Sequence, residues 1–357
     1  MTGLAGTDIA IALDLAEGRV VRVSIVPRRL PSIGALVAGR SAADMLKLVP
    51  MLFTLCAAAH GVAAQTAVDA ARGIDATPAV RRKRAAAVLS ERLVEQLRGV
   101  VTGLGLLEQG SVAAAMRELI SASATFAFAA NAGMKERLSA IVRIELALDQ
   151  IGITRLNSTD KSVAVRFSPS GKAYLSFRDD LEVIARMARD GARYANAPDI
   201  DGAIPETGSW ARLCAEAAID GEPSDRAETA AARLQARLDE IVRMPRGLRA
   251  FAAGADDSSL ADVTGYCLGA GRGAAAVETA RGRLYHRVEL DADGRVGRFQ
   301  CLAPTEWNFH PLGPLARMLR GSTVALDRGG RAAVEQLIAA FDPCVGYRVT
   351  IREFADA

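Results

Sequence analysis

The chain has 357 residues, 50% of them hydrophobic and only 5% aromatic, enough to bury a substantial core as one large domain or two intimately joined ones. Its 44 basic residues nearly balance 41 acidic ones, and the resulting charge of +3 gives no broad positive field to attract nucleic acid or an anionic membrane. Five cysteines, at positions 56, 214, 267, 301 and 344, show no close pairing, and their odd number speaks against a disulfide framework. The start, Met1-Thr-Gly-Leu-Ala-Gly-Thr7, has neither a basic stretch nor a long apolar core, so a cytoplasmic protein with reduced thiols is expected.

In chain order, Asp8–Leu15 and Arg19–Val26 alternate around Ala16-Glu17-Gly18 and predict a first hairpin. Ser41-Ala-Ala-Asp44 predicts a capping box. The apolar run Leu48–Ala64 after it predicts one buried helix, kinked at Pro50 and too short and interrupted to cross a membrane. Cys56 and His60 would then project from one face of that helix. Taken alone, such a pair reads as a small buried thiol and a satisfied core histidine.

Thr77-Pro78 predicts the start of a helix reaching about Leu97, with Arg81-Arg82-Lys83-Arg84 as a solvated face or a docking patch. A long helix is expected over Ser111–Ile151, with a break at Gly133. A short hairpin over Lys161–Phe167 and Lys172–Phe177 should follow it. Helices over Arg178–Arg189 and Asp225–Val242 flank a Gly/Pro-rich stretch, residues 190–208, expected as a linker or exposed loop.

Gly282–Leu290 and Arg295–Leu302 alternate around Asp291-Ala-Asp-Gly294 and predict a second hairpin closed by an Asp-Gly turn. Trp307–Leu319 and Arg331–Ala340 read as helices and Gly346–Phe354 as a closing strand. If the exit strand ran on to Thr305, Cys301 would share its face and be a third thiolate held in reserve, a register that a bulge at Pro304 would spoil. Cys214 and Cys267 read as structural. The fold expected is α+β, a mainly helical core with small antiparallel hairpins near both ends. It is expected as one domain over 1–357, with parts at 1–72, 75–265 and 266–357.

The punctuation of the second hairpin is distinctive. Glu278-Thr-Ala-Arg281-Gly282 enters it and Ala303-Pro304-Thr305-Glu306-Trp307-Asn308 leaves it. Together these resemble the large subunit of nickel–iron hydrogenases, in which a Glu-Ala-Pro-Arg-Gly strand and a Pro-Ser/Thr-x-Trp-Asn exit wall the iron side of the active site. Asp342-Pro-Cys344-Val-Gly-Tyr347 is similar to that family's Asp-Pro-Cys-x-x-Cys, with Tyr347 in place of the second cysteine. Leu55-Cys56-Ala-Ala-Ala-His60 is similar to the end of its Cys-x-x-Cys-x-x-x-His, with Phe53 in place of the first. Where the family has a proton-relaying glutamate near the N-terminus, this chain has Ala5-Gly6-Thr7. Thr350 stands where the family has a histidine, and the chain ends at Ala357 with no evident tail to cleave. The match covers both ends and the second hairpin, and this cysteine-depleted pattern resembles the HupK/HoxV group of hydrogenase maturation proteins.

The resemblance implies a division of labour by ligand count. Nickel in this family draws four thiolates, and the chain offers two, Cys56 and Cys344, so no nickel is expected. Iron carrying two cyanides and one carbon monoxide, Fe(CN)2(CO), already has three positions filled and is held by two thiolates. Cyanides accept hydrogen bonds, and Arg281 and Thr305 match the residues that donate them in the hydrogenases. Asp342 matches the carboxylate that orients the arginine, and His60 lies beside Cys56 as a supporting residue.

The implied function is a non-enzymatic scaffold that transiently binds Fe(CN)2(CO), takes it from hydrogenase accessory proteins and delivers it to the apo large subunit, without membrane insertion. Two other readings stand beside it. One is a metal-free paralogue that binds hydrogenase subunits or accessory proteins, and the other is a redox enzyme with an altered metal site, which the missing thiolates and glutamate oppose.

Overall fold

The computed structural model describes residues 8–26, 33–128, 133–153, 156, 173–219, 228–254 and 262–353. In order the elements are β1 (Ile9–Ala16), β2 (Arg19–Val26), α1 (Ile33–Val37), α2 (Ala42–Met51), α3 (Ala57–Ala71), α4 (Pro78–Gly103), α5 (Gly110–Phe128), α6 (Met134–Ile151), α7 (Asp180–Asp190) and α8 (Ala192–Asn196). There follow α9 (Ser209–Ile219), α10 (Ala230–Ala252), β3 (Val263–Cys267), β4 (Arg272–Thr279), β5 (Gly282–Leu290), β6 (Val296–Leu302), α11 (Pro304–Asn308), α12 (Pro314–Leu319), α13 (Arg328–Ala340) and β7 (Tyr347–Glu353). The chain is mainly helical with two small sheets, the α+β class expected. Among the described residues no helix is long and apolar enough to cross a membrane.

Two compact units share the chain. The first comprises Met1–Ser32, Ser158–Ala236 and Ala303–Ala357, and the second Ile33–Asn157 and Arg237–Leu302.

In the first unit the predicted hairpin forms, turned by Glu17 and Gly18, both at positive φ (50° and 74°), as a two-residue hairpin turn demands. The closing strand β7 joins it as the parallel neighbour of β1, with Ile9 opposite Tyr347, so the sheet order is β2-β1-β7. Alternate residues of β1, namely Ile9, Ile11, Leu13 and Leu15, are buried against Leu315, Leu319, Val334 and Leu337 of α12 and α13. Asp327 caps α13 by accepting a 2.8 Å bond from the Gly330 N–H.

The stretch 190–208 is not an exposed loop throughout. Ile204, Glu206 and Thr207 are buried, and Glu206 pairs with Arg233, Nε to Oε1 at 2.8 Å. Asn308 clasps the Thr207 backbone in both directions, accepting from its N–H at 3.0 Å and donating to its carbonyl at 2.9 Å. The helix expected over Trp307–Leu319 is instead two short ones, because Pro311, Gly313 and Pro314 interrupt it. The hairpin strand predicted at residues 161–167 lies outside the described residues. From Ala173 to Phe177 its partner makes only an isolated bridge, Tyr174 to Glu206.

In the second unit β3-β4-β5-β6 form an antiparallel meander, of which the predicted hairpin is the second half. The run Leu48–Ala64 is two helices rather than one kinked helix. Proline at position 50 cannot donate, the chain leaves α2 through a tight turn in which Phe53 N–H bonds Pro50 O at 3.4 Å, and Cys56 takes a non-helical conformation before α3 begins. The expected 111–151 helix is likewise α5 and α6, divided at Gly133 as predicted.

Candidate metal centre

Alanine and glycine let α3 descend onto the sheet. At Gly273 an added Cβ would stand 2.3 Å from both the Ala67 carbonyl oxygen and the Ala71 nitrogen, so only glycine permits this approach. On the same face of the sheet, β4, β5 and β6 align Ala275 with His286 and His286 with Cys301. Directly opposed residues on neighbouring strands carry side chains on the same face. His60, one turn into α3, meets them there.

The contact is close. His60 Nδ1 lies 2.9 Å from His286 Nε2, and both rings are buried. Phe53 stacks on His60, with ring centroids 3.3 Å apart and planes 4° from parallel, and Phe299 meets His286 edge-on at 5.1 Å. Burial pushes the His286 pKa down to about 3, so this imidazole is neutral. Its Nδ1 is buried without a hydrogen-bond partner among the described residues. With Cys301 the two histidines form a group whose ligand atoms lie within 4.8 Å of one another.

Cys56 is the residue before α3, not a member of its face, and its carbonyl accepts the His60 N–H at 3.0 Å. The next two amides of that helix start are held from α4: Ala58 and Ala59 donate to the two carboxylate oxygens of Glu91 at 2.7 and 2.8 Å. Burial raises the Glu91 pKa to about 7, against the lowering effect of those two amides, and Glu95 nearby adds to the rise. A cavity of about 810 Å³ opens beside this helix start, lined in part by Leu55 and Ala57 on either side of Cys56 and by Glu91 and Glu95.

Arg281 sits in the β4–β5 turn, its N–H bonded to Thr279 Oγ1 at 3.3 Å while that hydroxyl donates to Gly282 O at 2.8 Å. Its buried guanidinium forms an ion pair with Glu95 at 3.3 Å, and Glu95 also meets Arg98 at 3.2 Å. Within the second unit a carboxylate beside Arg281 is Glu95, a residue the sequence motifs did not single out.

In the first unit α13 ends at Ala340, with Phe341 as its C-cap, and Asp342 turns the chain with φ at +49°. This delivers Cys344 to Thr305, whose Oγ1 lies 3.2 Å from the cysteine sulfur. Thr305 is not on an exit strand. Pro304 starts α11 and β6 ends at Leu302, so Cys301 and Thr305 share no strand face. Tyr347, in the place of the family's second cysteine, opens β7 and packs on the first unit's core. Of the six residues singled out from sequence, Cys56, His60 and Arg281 lie in the second unit and Thr305, Asp342 and Cys344 in the first.

A search for related proteins finds the chain 42% identical to the hydrogenase expression/formation protein HupK of Bradyrhizobium diazoefficiens, over 98% of each chain. The chain belongs to the HupK/HoxV family of hydrogenase expression/formation proteins. The HoxV of Cupriavidus necator is 31% identical over 94% of this chain and 96% of its own. The family model for nickel-dependent hydrogenase matches residues 268–349, which run from the β3–β4 turn into β7. An NAD+-reducing [NiFe]-hydrogenase in the H2-reduced state superposes with a TM-score of 0.60 and 17% identity, over 92% of this chain and 93% of its own, which shows a shared fold. This chain is thus a relative of the hydrogenase large subunit, with Phe53 and Tyr347 where the resemblance places two cysteines.

Proposed function

We propose that this chain serves the maturation of a nickel–iron hydrogenase as a scaffold, taking Fe(CN)2(CO) as cargo from accessory proteins and passing it to the apo large subunit. Cys56 and Cys344 would supply the thiolates and Thr305 a hydroxyl. The observation that carries the reading is the Thr305 hydroxyl set 3.2 Å from the Cys344 sulfur, the arrangement a cyanide-bearing iron on that sulfur would use. The ligand count agrees with it: with Phe53 and Tyr347 in place of two cysteines, nickel lacks half its thiolates, while iron with three diatomic ligands does not. Two thiolates hold the cargo less firmly than an enzyme site would, as transfer requires. The protein would work in the cytoplasm and catalyse no reaction of its own.

The test is infrared spectroscopy on the protein purified anaerobically after co-expression with the hydrogenase accessory proteins, beside Cys56→Ala and Cys344→Ala. Cyanide and carbonyl bands that vanish in both variants support the scaffold. Absence of bands and of iron, with the accessory system active, overturns it. One observation favours a second reading, a metal-free paralogue that binds hydrogenase subunits or accessory proteins: the Arg281 guanidinium is already engaged by Glu95. Under that reading maturation survives loss of both cysteines.

A further inference from the structure

We infer that His60, His286 and Cys301 form a separate binding site for a thiophilic d10 cation, Zn2+ or Cu+, within the second unit. The inference does not rest on the iron reading, because neither Cys56 nor Cys344 is part of the set.

The three side chains come from three elements, α3, β5 and β6, and are brought together by strand register and by the helix contact at Gly273. Their ligand atoms fall within 4.8 Å of one another. Zinc–nitrogen bonds of about 2.0 Å and zinc–sulfur bonds of about 2.3 Å place ligand atoms some 3.3–3.6 Å apart in a tetrahedral site, so the most widely spaced ligand atoms must close by roughly 1.2–1.5 Å, within side-chain rotation. The 2.9 Å between the two imidazoles must widen slightly, and the group must contract around the sulfur. His286 offers capacity on both ring nitrogens, since Nε2 faces His60 and Nδ1 is buried without a hydrogen-bond partner among the described residues. Phe53 and Phe299 fix the two ring planes, which reduces the ordering cost of ligation.

The donor set selects the ion class. One thiolate and two neutral imidazoles suit borderline and soft ions, and a buried site of irregular shape favours ions without a d-electron geometric preference. Binding converts the Cys301 thiol to thiolate and releases its proton to solvent. The hydrogen bond between the imidazoles holds its proton on one of the two ligating nitrogens, so that ring changes tautomer on binding, the proton moving by exchange with solvent to its other nitrogen. Cu+ leaves the site neutral and Zn2+ leaves it with one positive charge, so the apolar surroundings favour Cu+ of the two.

The experiment uses full-length protein carrying Cys56→Ala and Cys344→Ala, stripped with chelator and titrated anaerobically with Zn2+ alone and with Cu+ alone. Elemental analysis after desalting gives the stoichiometry, and Co2+ is a spectroscopic probe. One equivalent bound, with a thiolate-to-cobalt charge-transfer band, is expected. His286→Gln, which keeps a hydrogen-bonding group toward His60, and Cys301→Ala should each weaken binding by more than about 100-fold, beyond the effect of losing a supporting residue, while circular dichroism shows the fold retained. Folded protein that retains no equivalent of either ion, or binding that survives both substitutions, overturns the inference. Failure here leaves the infrared test of the iron scaffold untouched, since the background already lacks the cysteines assigned to iron.

Discussion

Phe53 lies flat on His60, centroids 3.3 Å apart, so the position where the resemblance places a thiolate is filled by a ring that clamps a histidine. Phe53 is an apolar wall at that position, buried in the cluster that also holds Met45, Val49 and Phe299. Phe53→Ala should cost about 3 kcal/mol of stability through lost burial and the cavity left behind, measured by urea unfolding. A loss below about 1 kcal/mol would mean the stack contributes little.

Gly273 sets the distance between α3 and β4. Gly273→Ala puts a methyl group 2.3 Å from two backbone atoms of α3, and backbone cannot rotate away as a side chain can. The helix must lift, at a cost of about 2 kcal/mol or more. Thermal unfolding of this variant beside Gly297→Ala, where the nearest neighbour is 3.6 Å away, isolates the steric effect.

Arg281 and Glu95 are both buried, and removing either one leaves a charge with fewer partners. Arg281→Met and Glu95→Gln should each cost about 3 kcal/mol, and the double variant distinctly less than their sum. Additive losses in a double-mutant cycle would show the pair to be uncoupled. Under the scaffold reading, Arg281→Met also shifts the cyanide bands.

Glu91 carries a folded-state pKa raised from 4.5 to about 7, chiefly by burial. Its native form holds the proton more firmly than the unfolded chain does. Its contribution to stability is therefore greatest below about pH 4.5, falls as pH rises from there to about 7, and is constant above. Glu91→Gln should flatten that part of the stability–pH curve while leaving an acceptor for one of the two amides. An unchanged slope between parent and variant would refute the assignment.

Local signals carried well where a residue type has one physical meaning. Ser41 capped α2, and Asp293-Gly294 closed the β5–β6 hairpin. They failed where two roles compete. Leu48–Ala64 has one apolar period, yet Pro50 and the turn after it divide the run, and Cys56 ends up before the helix rather than on it. Strand β4, rich in alanine, lacks the β-branched pattern that announces a strand, because α3 packs too closely on it for larger side chains. Helix α9 forms over Ser209–Ile219, beyond the expected loop at 190–208, where the sequence predicts no element.

By itself the sequence determined the family, through its resemblance to the hydrogenase large subunit, and the α+β class. Those follow from residue identity and short-range spacing, which survive without coordinates. Only the tertiary structure decided that His60 faces His286 and Cys301, that Glu95 neutralises Arg281, and that Glu91 holds the start of α3. Each of these joins residues far apart in the chain: His60 and His286 are separated by 226 positions, and Arg281 and Glu95 by 186. No local propensity encodes such contacts. They arise when the helix and the sheet bury their apolar faces together and the polar groups caught between must find partners.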